Sequence, residues 1–181
     1  MKCIKTRGKK GEPHLDPDDP PRRRANKARG HGKWETDRPP ILGVVGRDSG
    51  NIYLEVCENS TRETLEPKVL TATSEGTTIN SDEWCAYNQL ADADRVHKTV
   101  CHSGKNREWA RDDDADGIRE VHNNTMEGIW TGLRNFLRIF RGVHKKYLNQ
   151  YAAMFEWGHN CKSVTLDFLR ILCGVITPNA T

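Results

Sequence analysis

A chain of 181 residues that is 35% hydrophobic and 29% charged, with a mean hydropathy of −0.78, has room for one domain with a real core plus a solvated extension. No apolar run approaches the roughly 18 residues that a membrane helix needs and no charged-then-apolar leader opens the chain, so a membrane protein is excluded and a cytoplasmic one expected. The net charge of +3 is uneven: residues 1–38 carry 12 Lys/Arg against 6 Asp/Glu, a net +6, which leaves the remainder at −3. A basic arm without an amphipathic apolar face fits a nucleic acid better than a membrane.

Residues 1–38 hold prolines at 13, 17, 20 and 21 and show no periodicity, so they read as an arm or long loop. Within it Arg22, Arg23, Arg24, Lys27 and Arg29 form a basic cluster beside Gly30 and Gly32, which suits a segment that tracks phosphates and equally suits a solvated linker. Residues 39–160 read as a folded domain and 161–181 as a helical tail. In the domain, ILGVV, a turn at Asp48-Ser49-Gly50 and NIYLEVC predict a hairpin. Ser60 to Thr73 predicts a helix with Ser60 or Thr61 as cap, stopped by Gly76. Thr77 to Ser81 is a β-branched run that delivers Asp82 at its C-terminal end, and Glu83 to Leu90 reads as a turn into a short helix. Strand ends are where catalytic groups collect in α/β sheets.

His97 to His102 predicts another strand, followed by an acidic connection with Asp112, Asp113, Asp114 and Asp116 that reads as solvated loop or metal-binding run. From Glu120 to Lys146, Met126, Ile129, Trp130, Leu133, Phe136, Leu137 and Phe140 recur at helical spacing and mark a buried face. Glu127 and Arg134 are two turns apart, and Arg138, Arg141 and Lys145 extend a basic stripe beyond them. The pattern suits a carboxylate held beside phosphate-binding cations, and it also suits an ordinary surface helix with charges matched to its dipole. Lys145 to His159 predicts a second helix, and VTLDFLRILCGVI a third apolar stretch. The six cysteines include no C-x-x-C pair and read as reduced thiols, with Cys101-His102 and His159/Cys161 as remote zinc candidates.

The order of hairpin, strand, helix, strand with Asp, strand and helix with Glu resembles an RNase H-like (retroviral-integrase-like) α/β fold, a mixed sheet with flanking helices. The segments NSDEWCAY, VHNNTMEGIWTGLRNFLRIFRGV and YLNQYAAMFEWGHN resemble insertion-sequence transposases of the DDE superfamily, in the ISXO-like branch related to Merlin elements. The resemblance implies a core that cuts and joins DNA with two divalent ions, Mg²⁺ or Mn²⁺, held by two Asp residues and a third residue on a helix. By position Asp82 is the second Asp and Glu127 the third acid, these two being the metal ligands present. His122, Asn124 and Glu127 fit the branch's His-x-Asn-x-x-Glu wording, with Asn124 as the alternative third residue, and Arg134 matches its basic residue.

The family's first Asp belongs to an Asp-Glu pair on the opening strand, just ahead of a Gly-rich basic segment. Aligning GKKGEPH with that segment places the Asp at or just before Met1, so the resemblance implies a truncated copy with an incomplete first strand and reduced or no activity. The implied partners are element-end and target DNA and a second transposase protomer, in the nucleoid. A non-catalytic DNA-binding remnant that pairs with full-length transposase stands beside this reading, as does an unrelated RNase H-like nuclease.

Overall fold

The computed structural model describes residues 32–36, 38–102 and 107–174. The element order is β1 (Ile41–Val45), β2 (Ile52–Val56), α1 (Arg62–Ala72), β3 (Thr78–Asp82), β4 (Val96–Val100), β5 (Ala110–Arg111), β6 (Val121–His122), α2 (Asn124–Arg138), α3 (Lys145–Asn160) and α4 (Leu166–Leu172). Two 3₁₀ turns, Cys85–Tyr87 and Leu90–Ala93, stand where one short helix was expected between β3 and β4. The basic cluster Arg22, Arg23, Arg24, Lys27 and Arg29 lies outside the described residues.

β1 and β2 pair antiparallel, Ile41 opposite Val56 and Val45 opposite Ile52. Their turn is closed by the Gly46 amide on the Asn51 carbonyl at 2.9 Å and the Gly50 amide on the Gly46 carbonyl at 2.8 Å, with Gly50 at φ +64°. Successive side chains of a strand point to opposite faces, so Ile41 and Leu42 serve two different cores. Ile41, Ile52 and Leu54 pack against Met126, Trp130, Leu133 and Leu137 of α2 and Leu148 and Ala152 of α3. Leu42 and Cys57 pack against Leu65 and Val69 of α1, together with Ala86 and Leu90. The hairpin is therefore the middle layer of three.

Gly43 permits the close approach of α2: a Cβ there would lie 2.5 Å from Met126 Cε and 2.8 Å from the Trp130 ring. The outer edge of β2 is covered by α3. Asn160 Oδ1 accepts the Ile52 amide at 2.8 Å, Glu156 Oε2 the Leu54 amide at 2.6 Å and Asn149 Oδ1 the Val56 amide at 3.4 Å, while Asn160 Nδ2 donates to the Ile52 carbonyl at 2.8 Å. Side chains at helical spacing thus replace a neighbouring strand.

The expected single mixed sheet is instead three two-stranded pieces among the described residues: β1 with β2 antiparallel, β3 with β4 parallel, and β5 with β6 antiparallel. No strand pairs β1 with β3, so the pieces do not merge. The helix expected within Glu120 to Lys146 runs from Asn124 to Arg138. Asn123 is its N-cap residue, and a tightened last turn closes it through the Phe140 amide on Leu137 and the Arg141 amide on Arg138. Arg141 at φ +54° and Gly142 at φ +136° then turn the chain, which takes Arg141 and Lys145 off the stripe that Arg134 and Arg138 share. No helix among the described residues is long and apolar enough to cross a membrane.

Candidate active site

A cleft of about 830 Å³ opens between the hairpin and the β3–β4 pair. Its walls are β1 and the hairpin turn on one side, β3 on the other, and the approach to α2, with Glu120, His122, Asn123, Thr125, Met126 and Trp130. Asp82, the last residue of β3, is one of these walls. β3 delivers it there because the parallel ladder with β4 runs the full length of the strand, Thr78 opposite Val96 through Asp82 opposite Val100. Asp82 Oδ1 accepts the Trp84 amide at 3.3 Å, which starts the first 3₁₀ turn. Burial, with the charge of Asp82 added, pushes the Tyr87 hydroxyl's pKa well above its ordinary value, so the phenol beside the cleft stays protonated.

Glu127 lies in the first turn of α2, half-buried, one residue after Met126 and three after Asn124; its amide bonds the Asn123 carbonyl at 3.2 Å. Thr131 Oγ1 donates to the main-chain carbonyl of Glu127 at 3.0 Å, and Arg134 Nη2 donates to Thr131 Oγ1 at 2.9 Å. Arg134 Nη1 is buried without a partner among the described residues. Asn124, Glu127 and Arg134 are not walls of the cleft, whereas Asp82 is. Arg138 Nη1 bonds Asn135 Oδ1 at 3.1 Å, and Lys145 Nζ bonds the Trp34 carbonyl at 2.6 Å and lies 5.3 Å from that indole's centroid. Lys145 therefore anchors the segment before β1.

Several cleft residues carry no signal in the sequence pattern. Lys98 on β4 pairs with Asp113 at 2.9 Å and Glu120 at 3.4 Å, and the Asp113 hydrogen bond holds the ammonium above its usual pKa. Arg47 in the hairpin turn donates to the Glu120 and His122 carbonyls and so ties the hairpin to β6. Burial, then the Arg47 charge, lowers the His122 pKa. Two buried oxygens, Asn80 Oδ1 and Glu120 Oε2, have no hydrogen-bond partner among the described residues. Those oxygens and the Asp82 carboxylate are hard donors in one cleft, a set that suits Mg²⁺ or Mn²⁺ better than a soft metal.

The acidic connection forms a separate turn. Carboxylate oxygens of Asp112, Asp114 and Asp116 come within 4.8 Å of one another, and Asp112 is held below its ordinary pKa chiefly by the Gly117 amide. Cys57, Cys85, Cys101, Cys161 and Cys173 are free thiols, and no Cys/His group among the described residues gathers with metal-ligating geometry.

The family model of the ISXO2-like transposase domain matches residues 11–160. An uncharacterized protein in transposable element ISH50 of Halobacterium salinarum is 26% identical over 140 residues, which are 77% of this chain and 45% of that protein. The chain thus spans about half the length of this curated relative. No solved structure matches it.

Proposed function

The chain belongs to the ISXO2-like transposase domain family, and on that footing we propose that it is the core of an insertion-sequence transposase that cleaves and joins DNA strands. The family match over residues 11–160 carries this reading. The presence of Asp82 at a strand end in a cleft with unsatisfied buried oxygens supports it. We assign Asp82 and Glu127 as metal ligands, with Asn124 the alternative to Glu127. Divalent ions bound there would activate the attacking oxygen and stabilise the leaving one in an in-line displacement.

The chain's own residues supply the rest. Asp82 and Glu127 hold negative charge on a strand end and a helix start, both rigid elements. Arg134, seven residues after Glu127 on the same helix, contacts a substrate phosphate, and Arg keeps the charge while offering a planar fork. The arm residues Arg22, Arg23, Arg24, Lys27 and Arg29, with Arg138 and Arg141, hold the DNA backbone electrostatically. The basic arm, at net +6, also favours a second reading: a non-catalytic DNA-binding remnant that pairs with full-length transposase.

Titration calorimetry with Mn²⁺ separates the metal site from the acidic turn. Asp82→Ala or Glu127→Ala is expected to weaken binding at least about tenfold, the least that loss of even an outer-shell partner costs. Triple substitution of Asp112, Asp114 and Asp116 by Asn should leave that site intact. Binding lost only in the triple variant would overturn the assignment.

A further inference from the structure

Successive residues of a strand point to opposite faces, so Ile79 and Ser81 of β3 share one face with His97 and Thr99 of β4, and Asn80 and Asp82 take the other. Ile79 packs against the cluster of Leu42, Cys57, Leu65 and Val69, which puts Ser81 on the α1 side of the pair. Lys98, on the Asp82 side, pairs with Asp113 and Glu120. Ser81 is 8% exposed, and its hydroxyl meets two groups. Its Oγ donates to the Asp82 main-chain carbonyl at 2.8 Å and lies 2.8 Å from His97 Nε2.

A hydroxyl has one proton. With that proton on the Asp82 carbonyl, the His97 contact is a hydrogen bond only if Nε2 carries a proton and donates it, which leaves Nδ1 bare in the neutral ring. Burial lowers the His97 pKa and so favours that neutral ring.

The Asp82 carbonyl needs this donor because the ladder does not supply one. The Val96 amide bonds the Thr77 carbonyl at 3.1 Å with Thr78 opposite Val96, so the main-chain groups of Ile79 and Ser81 reach β4 and those of Asn80 and Asp82 turn to the other edge. The Ser81 bond fixes the peptide that follows Asp82. That peptide leads into the turn in which the Trp84 amide donates to Asp82 Oδ1 at 3.3 Å.

We propose that His97 and Ser81 are positioning residues for Asp82: His97 orients the Ser81 hydroxyl, the hydroxyl fixes the Asp82 carbonyl, and the carboxylate is presented at a set angle. His97 is not a wall of the cleft, so its effect runs through Ser81. For a metal-ligating carboxylate, loss of such an outer hydrogen bond costs about 10–100-fold in affinity. That consequence, unlike the positioning itself, rests on the transposase reading.

The test is NMR on the 181-residue chain. In the unsubstituted chain at neutral pH the His97 nitrogen shifts should place the proton on Nε2, and a proton on Nδ1 alone would overturn the proposal. Exchange of the Trp84 amide is expected to quicken at least about tenfold in Ser81→Ala, and by a smaller factor in His97→Leu, with the Ile52 and Leu54 amides unmoved as a check on the fold. His97→Gln, which keeps an N–H donor at similar reach, should retain the slow rate. An unchanged Trp84 amide in Ser81→Ala, or His97→Gln behaving as His97→Leu does, would also overturn it. Calorimetry with Mn²⁺ on the same variants should follow the same order, and an unchanged affinity in Ser81→Ala counts against the proposal. A chain that binds no Mn²⁺ yet shows the Trp84 response keeps the positioning role and counts against the metal assignment alone.

Discussion

Gly43 is a residue whose importance is spatial. Its missing side chain lets Trp130 and Met126 lie against β1 and so brings the start of α2 to the cleft. Gly43→Ala is expected to destabilise the chain by about 1–3 kcal/mol, as overpacking a core does, read as a lower urea midpoint with unchanged slope. His97, bonded to Ser81 Oγ at 2.8 Å, has its pKa lowered by burial. The unfolded imidazole titrates near about 6.5, so the folded state prefers the neutral ring. Stability is therefore full above that value and falls as pH drops through the window beneath it. The urea midpoint should be lower at pH 5.5 than at 7.5, and His97→Gln should shrink that difference. The places of Asp82 at a strand end and Glu127 in a helix's first turn were legible because one ends a β-branched run and the other opens a strongly periodic helix. Lys98, Arg47 and Glu120 were not, since their roles arise from residues many positions away in sequence.

Among elements, α2 and α3 show where periodicity suffices and where it stops. The apolar stripe of α2 was readable and buries Met126, Trp130, Leu133 and Leu137 as expected. Its end was not: Phe140 and Ile139 continue the apolar pattern, yet the turn at Arg141 and Gly142 stops the helix and leaves Ile139 exposed. On α3, Asn149, Glu156 and Asn160 look like a solvated face beside Leu148 and Ala152, and their contact with β2 cannot be read locally. Asn160→Ala removes both partners of Ile52. It is expected to cost about 1–3 kcal/mol, the range for a part-buried group left unsatisfied. It should also promote concentration-dependent association through the uncovered edge, visible by sedimentation velocity. Full stability and a monomer-only profile would show that α3 does not protect the edge.

For the whole molecule, the order of strands and helices was legible and the continuity of the sheet was not. Hairpin, α1, β3, β4, α2 and α3 follow one another as the pattern predicts, but β1 and β3 stand apart across the cleft. Pairing between distant strands is fixed by what lies between them, and local sequence does not report it. The most direct measurement is divalent-metal-dependent nicking of element-end DNA by the chain. If Asp82 and Glu127 are metal ligands of a transposase core, the chain nicks that DNA with Mg²⁺ or Mn²⁺, and Asp82→Ala or Glu127→Ala reduces the rate at least about a hundredfold. Salt-sensitive DNA binding with no nicking, unchanged by either substitution, would contradict it and leave a binding remnant.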